Sequence, residues 1–145
     1  IGNINIIPRI GNQWLVLRVA TGEWEVLGGT REPDEPILDT LRRELLEEAG
    51  AKLVTDKIIP IGAWKCHCHA EKPYRPHTPH PIYYRYVVTA EVEIIGKPTN
   101  PADGEQIISV EAVPLATAIQ RFSEGKRFDI AALFQIAGTY TKSTP

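Results

Sequence analysis

Three glutamates, Glu44, Glu47 and Glu48, fall within five consecutive positions of the chain. On a helix they would share one side within about a turn of one another. Carboxylates packed that closely repel, so the spacing asks for a counter-charge. A hard divalent cation meets that need, because it takes carboxylate oxygens and holds phosphate oxygens in its remaining positions. Upstream, Gly28-Gly29 marks a place where the backbone bends sharply or lies open to a ligand.

The elements that must position these residues can be read from pattern. Ile4 to Ile10 is apolar and β-branched enough for a strand, with Pro8 suggesting an edge or a strand end. Trp14 to Val19 and Trp24 to Leu27 form a hairpin around Thr21-Gly22, and Gly28-Gly29 ends the second strand. Asp34 as N-cap, Pro36 in the first turn and Gly50 after the last turn predict a helix from about Glu35 to Ala49. Ile37, Leu38, Leu41, Leu45 and Ala49 then make one apolar stripe for a sheet to cover, with the acids at its rim. A strand interrupted near Pro60 and Gly62 covers Lys57 to His69, and a Pro/His-rich loop covers Ala70 to Pro81. Ile82 to Ile95 alternates as a long strand, Gln106 to Val110 as a short one. Pro114 to Phe122 and a segment capped by Asp129, reaching about Gly138, read as helices; Thr139 to Pro145 reads as a fraying tail.

At 145 residues, one domain spanning 1–145 is the expectation. The net charge of −2 gives no general attraction to nucleic acid or to an anionic membrane, so any affinity for phosphate must be local. No apolar run approaches the ~20 residues of a membrane span, and there is no basic start followed by a long apolar run as in a signal peptide. Cys66 and Cys68 are poorly placed to bridge each other, and free thiols in a reducing cytoplasm are expected. Cys66-His67-Cys68-His69, with His77 and His80 nearby, invites a zinc reading. Strand alternation sends the cysteines to one face and the histidines to the other, so packing or pocket lining is favoured over zinc.

The stretch from Gly29 to Ala51 resembles the signature of the Nudix hydrolases: glycine, five residues, Glu, seven residues, then Arg-Glu-apolar-x-Glu-Glu-x-Gly-apolar. Gly29, Glu35, Arg43, Glu44, Leu45, Glu47, Glu48, Gly50 and Ala51 occupy those positions, Ala51 being smaller than the usual aliphatic. A solvated helix face with Glu/Arg pairs is the ordinary reading of a charge run. Spacing this specific outweighs it. Trp24 before the double glycine also agrees with the family, although Leu27 stands where proline is common.

The resemblance implies an α/β fold, a Nudix-type α/β/α sandwich with a mixed β-sheet between helices. It also implies hydrolysis of a pyrophosphate bond in a nucleoside diphosphate derivative with Mg²⁺ or Mn²⁺. By position, Glu44, Glu47 and Glu48 would hold metal and the Gly28 carbonyl would add a ligand, while Gly29, Glu35, Arg43 and Gly50 would brace the loop and helix. A further acid is expected from a later loop: Glu105, with Asp103 as the alternative. The carboxylate that takes the proton from water is expected to be Glu44, with Glu105 second. The substrate stays open among nucleotide sugars, ADP-ribose-like compounds and (d)NTPs, since the marker proline or tyrosine of some family members is missing from Cys66 to Cys68. Trp14, Trp64 and Tyr83 are candidates to stack a base, and Arg18, Lys65, Arg75 and Arg85 to meet phosphate or ribose. Homodimers are common in the family, so a second copy is an expected partner. The reading from a different class is a Nudix-like domain that binds a nucleotide, or regulates, without hydrolysing it.

Overall fold

The computed structural model describes residues 1–102 and 104–142. Asp103, the alternative later acid, and the last three residues of the tail lie outside the described residues.

The elements run β1 (Asn3–Ile10), β2 (Gln13–Val19), β3 (Trp24–Glu25), β4 (Leu27–Thr30), α1 (Ile37–Ala49), β5 (Ala51–Leu53), β6 (Ile59–His67), β7 (Ile82–Ile94), β8 (Ile107–Val113), α2 (Leu115–Glu124) and α3 (Phe128–Lys142). Among the described residues the strands form one mixed sheet: β1 and β7 are parallel, and the other pairings are antiparallel. Alternation along each strand splits the apolar residues between two cores. Leu15 and Leu17 of β2 join Leu41, Leu45 and Ala49 of α1 on one face. Trp14 and Val16 join Phe122 of α2 and Phe134 of α3 on the other. The result is the expected α/β/α sandwich, because neither sheet face can be left to water. No helix among the described residues is long and apolar enough to cross a membrane.

Several elements differ instructively from expectation. Pro8 sits on a central strand, not an edge. On one side it faces Ala90 of β7; on the other, β4 covers residues 3–6 and β2 begins only at Arg9. Its missing N–H therefore falls where β1 passes from one neighbour to the next, and no ladder bond is lost. Gly28-Gly29 does not end a strand but carries β4 onto β1, Asn5 opposite Gly28 and Ile4 opposite Gly29. Asp34 is not the N-cap. It adopts φ 56° inside the turn closed by Glu35 N–H on the Glu32 carbonyl, after Pro33, and Pro36 becomes the N-cap residue without a side-chain cap. Proline followed by an aspartate that tolerates positive φ suits that turn, and the turn competes with capping for Asp34.

The interruption in β6 is a register shift between Pro60 and Gly62, as expected. β8 extends past Val110 to Val113. The last helix begins at Phe128, with Asp129 in its first turn beside Arg127 instead of capping it, and runs through Gly138 to Lys142. Glycine stands at 138 within the helix because the Leu115 side chain packs where a Cβ would be. The expected tail is thus helical through Lys142.

Candidate active site

α1 carries the acids and β4 receives them. Gly50 ends α1 in the left-handed conformation (φ 60°), its N–H turned back to the Leu45 and Leu46 carbonyls. A Cβ there would also run into the backbone of Gly96 and Lys97. The turn this enforces sends the chain into β5 and fixes the end of the helix nearest Glu47 and Glu48.

Glu35 and Arg43 form the brace. Arg43 donates from Nε to Glu35 Oε2 at 3.1 Å, from Nη2 to Glu35 Oε1 at 3.0 Å, and from Nη2 to the Thr30 carbonyl at 3.0 Å. Glu35 also accepts from the Thr40 hydroxyl at 2.7 Å and the Glu32 N–H at 3.1 Å. These donors, Arg43 above all, hold the Glu35 carboxyl down at about 2. A carboxylate so fully engaged serves structure: it ties the loop after β4 to the first turns of α1.

The remaining acids are held differently. Glu44 is buried at 8% exposure, its carboxylate 2.8 Å from Arg43 Nη1 and against Gly29. A Cβ at Gly29 would overlap that carboxylate, which is why glycine stands there. Glu48 accepts the Gly28 N–H at 2.8 Å. A Cβ on Gly28 would fall 2.8 Å from Asn5 Cα, so the pairing of β4 with β1 needs glycine here as well. Burial pushes Glu44 up to about 7 despite Arg43, with Glu47 adding to the rise. Burial pushes Glu48 up to about 8 despite the Gly28 N–H, and Glu44, Glu105 and Glu47 add to it. Glu105 is raised by burial and by Glu25 and Glu23.

These groups line one cavity of about 280 Å³, with Gly28, Glu44, Glu47, Glu48, Glu105, Tyr74 and Arg75 among its walls. Arg43, also on the wall, is shared between Glu35, Glu44 and, at 3.6 Å, Glu47. The cavity therefore carries more negative than positive charge, and its donors are hard carboxylate oxygens. That donor set fits a divalent cation in chemistry. Among the described residues no three His, Cys, Asp or Glu side chains surround a single point. Glu44 is turned to Arg43 and Glu48 to Gly28, so the carboxylates share a cavity without converging.

Of the seven residues expected to contact substrate, only Arg75 reaches this cavity, and Trp14 is buried in the α2/α3 core. Trp64 packs against the α2/α3 core, with the Arg85 guanidinium 5.8 Å from its ring centre. Tyr83 lies beside Gly2 and Cys66, Arg18 donates to the Gly22 carbonyl beside Trp24, and Lys65 sits on β6 opposite Tyr84. Strand residues are committed to a sheet face, whereas Arg75 rides a loop that returns over the acids. His67 and His69 meet through Nδ1 at 3.1 Å, while Cys66 and Cys68 turn to backbone carbonyls, so the four do not gather around one ion.

Two contributors were not anticipated from sequence. Tyr74 lines the cavity beside Arg75. Asn100 sets the Glu105 loop: its N–H donates to the Glu47 carbonyl at 3.2 Å, and its side chain exchanges bonds of 3.0 and 2.9 Å with Ile107. The Asn100-Pro101 pair, with Asn100 at φ 46°, was the available turn signal.

An acid-walled cavity carried by a strand, a loop and a helix thus lies against one face of the α/β/α sandwich. The chain belongs to the Nudix family, whose NUDIX domain model matches residues 4–131. It is 41% identical over 71 residues to the nucleoside triphosphatase NudI of Escherichia fergusonii, 48% of each chain being covered. It is 38% identical over 63 residues to the Klebsiella pneumoniae protein of the same name, covering 38% of this chain and 45% of that one. The matches thus span about half the length of these relatives, or less. Among solved structures, an ADP compounds hydrolase superposes with TM-score 0.63 at 16% identity, covering 97% of this chain and 72% of the other. A NUDIX hydrolase from Nitrosomonas europaea gives 0.61 at 14% identity, covering 83% and 76%. At such identities the structural likeness speaks to the fold.

Proposed function

We propose that the protein hydrolyses a pyrophosphate bond of a nucleoside diphosphate derivative, with nucleoside triphosphates the favoured class. The observation that carries this is the gathering of Glu44, Glu47, Glu48 and Glu105 on one cavity whose single committed cation, Arg43, is shared with Glu35. Glu44, Glu47 and Glu48, with the Gly28 carbonyl, would hold Mg²⁺ or Mn²⁺. When bound, the ion would supply neutralisation of the phosphate oxygens and lower the pKa of a water.

The chain's own residues do the rest. Glu35 and Arg43 keep the loop after β4 and α1 in register, so the acids stay at fixed separations. A carboxylate takes the proton as the water oxygen bonds to phosphorus and the bridging P–O bond breaks. Glu44 is the favoured acceptor: it lines the cavity, and burial raises its carboxyl toward neutrality while a bound cation would oppose that rise. Glu105 is the second choice, on the opposite loop. The relatives named nucleoside triphosphatases support the triphosphate over a nucleotide sugar or ADP-ribose-like compound. The free Cys66 and Cys68 support a reducing, cytoplasmic setting.

The test is product release from nucleoside triphosphates, nucleotide sugars and ADP-ribose with Mg²⁺ or Mn²⁺, comparing the natural chain with Glu48→Gln. Loss of roughly a hundredfold or more in kcat is expected for the variant. Equal metal-dependent rates would remove Glu48 from the site, and tight nucleotide binding without turnover in the natural chain would make this a binding domain instead.

A further inference from the structure

The cavity that holds the acids is also lined by an arrangement that the proposed hydrolytic machinery does not use. The Arg75 guanidinium lies 5.4 Å from the centre of the Tyr74 ring, and both side chains face the acid cavity. Tyr74 is 74% exposed, so a ring already covered by Arg75 keeps most of its surface open. Arg43 is engaged by Glu35, Glu44 and the Thr30 carbonyl. Arg75 is therefore the cation on this cavity that the described contacts leave without a carboxylate. The loop bearing the pair is anchored. His77 donates from Nε2 to the Arg31 carbonyl at 2.6 Å, the Thr78 N–H closes a turn on the Arg75 carbonyl at 3.0 Å, and Cys68 N–H meets the Pro81 carbonyl at 2.8 Å. Because a carbonyl only accepts, the His77 proton must sit on Nε2, and the bond ties this loop to the residue following β4.

The geometry points to Tyr74 and Arg75 as a two-part substrate clamp: Arg75 takes the non-bridging oxygens of a polyphosphate chain, and the open face of Tyr74 stacks on the nucleobase. This rests on the hydrolase reading of the same cavity and narrows it. A guanidinium fork matches phosphate oxygens, and it offsets charge that the acid wall alone would repel. An aromatic face accepts any base, so selection acts on the number of phosphates and weakly on base identity. Nucleoside triphosphates are thus favoured over nucleotide sugars, and purines over pyrimidines only to the extent that they stack better.

The clamp is tested by calorimetric binding of a nucleoside triphosphate analogue with methylene groups at both bridging positions, in Mg²⁺, alongside the matching monophosphate and free nucleoside. Arg75→Ala should weaken the triphosphate analogue by about 10- to 100-fold, with Arg75→Lys recovering part of the loss. The same change should barely alter nucleoside binding. Tyr74→Ala should weaken all three by about 10-fold, and Tyr74→Phe should restore them. Melting temperatures should be unchanged, since both side chains sit on an exposed loop. Analogue affinity unmoved by both alanine variants, or no analogue binding by the natural chain, overturns the clamp. Turnover of unmodified triphosphates by the natural chain is scored separately. Turnover with unaltered variant affinities leaves the hydrolase standing without the clamp, and variant-sensitive binding without turnover leaves the clamp on a binding domain.

Discussion

Across the cavity, the α1 wall and the Tyr74–Arg75 wall differ in how their side chains are held. Glu44 and Glu48 are seated against Gly29, Arg43 and the Gly28 N–H, all within the β4–α1 segment. Tyr74 and Arg75 hold each other on a loop tied down by His77 and backbone bonds at its base. Both acids of the first wall are seated on β4, so displacing one breaks its contact with that strand. The second can exchange side chains at little cost to the fold. Under the proposed function, the packed helix holds the charges that the reaction needs at fixed separations, and the exposed loop carries the surface that selects substrate.

The largest effect should come from breaking the fit inside the α1 wall. Gly29→Ala places a methyl group against the Glu44 carboxylate, whose far end can swing away, so the fold should survive while kcat falls about 100-fold. Near-normal turnover in a folded variant would show that the Glu44 position is not what the wall protects.

The next test separates the acids of the wall from the brace by pH. Glu44 and Glu48 stand at about 7 and about 8 in the folded state, against 4.5 ordinarily. Both take up protons on folding. Their contribution is most favourable below 4.5 and is lost as pH rises through 7 and 8. Glu35, lowered to about 2, contributes in the opposite sense: its stabilisation is present above 4.5 and is lost as pH falls toward 2. Between pH 5 and 8 only the first effect operates, so Tm in a chelator should fall by roughly 5 °C across that window and recover on adding Mg²⁺. A flat profile would mean that the wall carries no uncompensated charge.

A smaller effect is expected where the Glu105 loop meets the α1 wall. Asn100→Ala removes the two side-chain bonds to Ile107 and a residue suited to φ 46°. It should cost about 2 kcal/mol by denaturant unfolding, with kcat reduced more than KM if Glu105 is displaced. Smallest of all should be Arg42→Ala. Arg42 bonds to Asp56 at 2.6 Å, but both groups are exposed. Stability in denaturant unfolding should be indistinguishable from that of the natural chain. A measurable loss would erase the distinction drawn between a seated charge and a solvated one on the same helix.

Local pattern carried the interior of the elements well. The stripe from Ile37 to Ala49 packs as its periodicity required, β7 spans Ile82–Ile94, and the register shift falls at Pro60 and Gly62. Where two local signals competed, the reading went astray: Asp34 had both capping and turn chemistry, and Pro33 decided for the turn. Pro8 misled because its meaning depended on which strands lay beside it. Trp14, Trp64, Lys65, Tyr83, Arg85 and Arg18 do not line the cavity for a related reason, since residue type says nothing about which sheet face a side chain occupies.

What the amino-acid order determined by itself is the acid wall: residues three and four apart on one helix must be neighbours, and a glycine just beyond the last turn must end it. Tertiary structure alone decided what that wall confronts. Pairing of β4 with β1 places Gly28 and Gly29 beneath Glu48 and Glu44. The bond from His77 to Arg31, 46 positions apart, helps bring Tyr74 and Arg75 over the same cavity. Periodicity acts within a few residues, and contacts between distant segments depend on how the whole sheet closes.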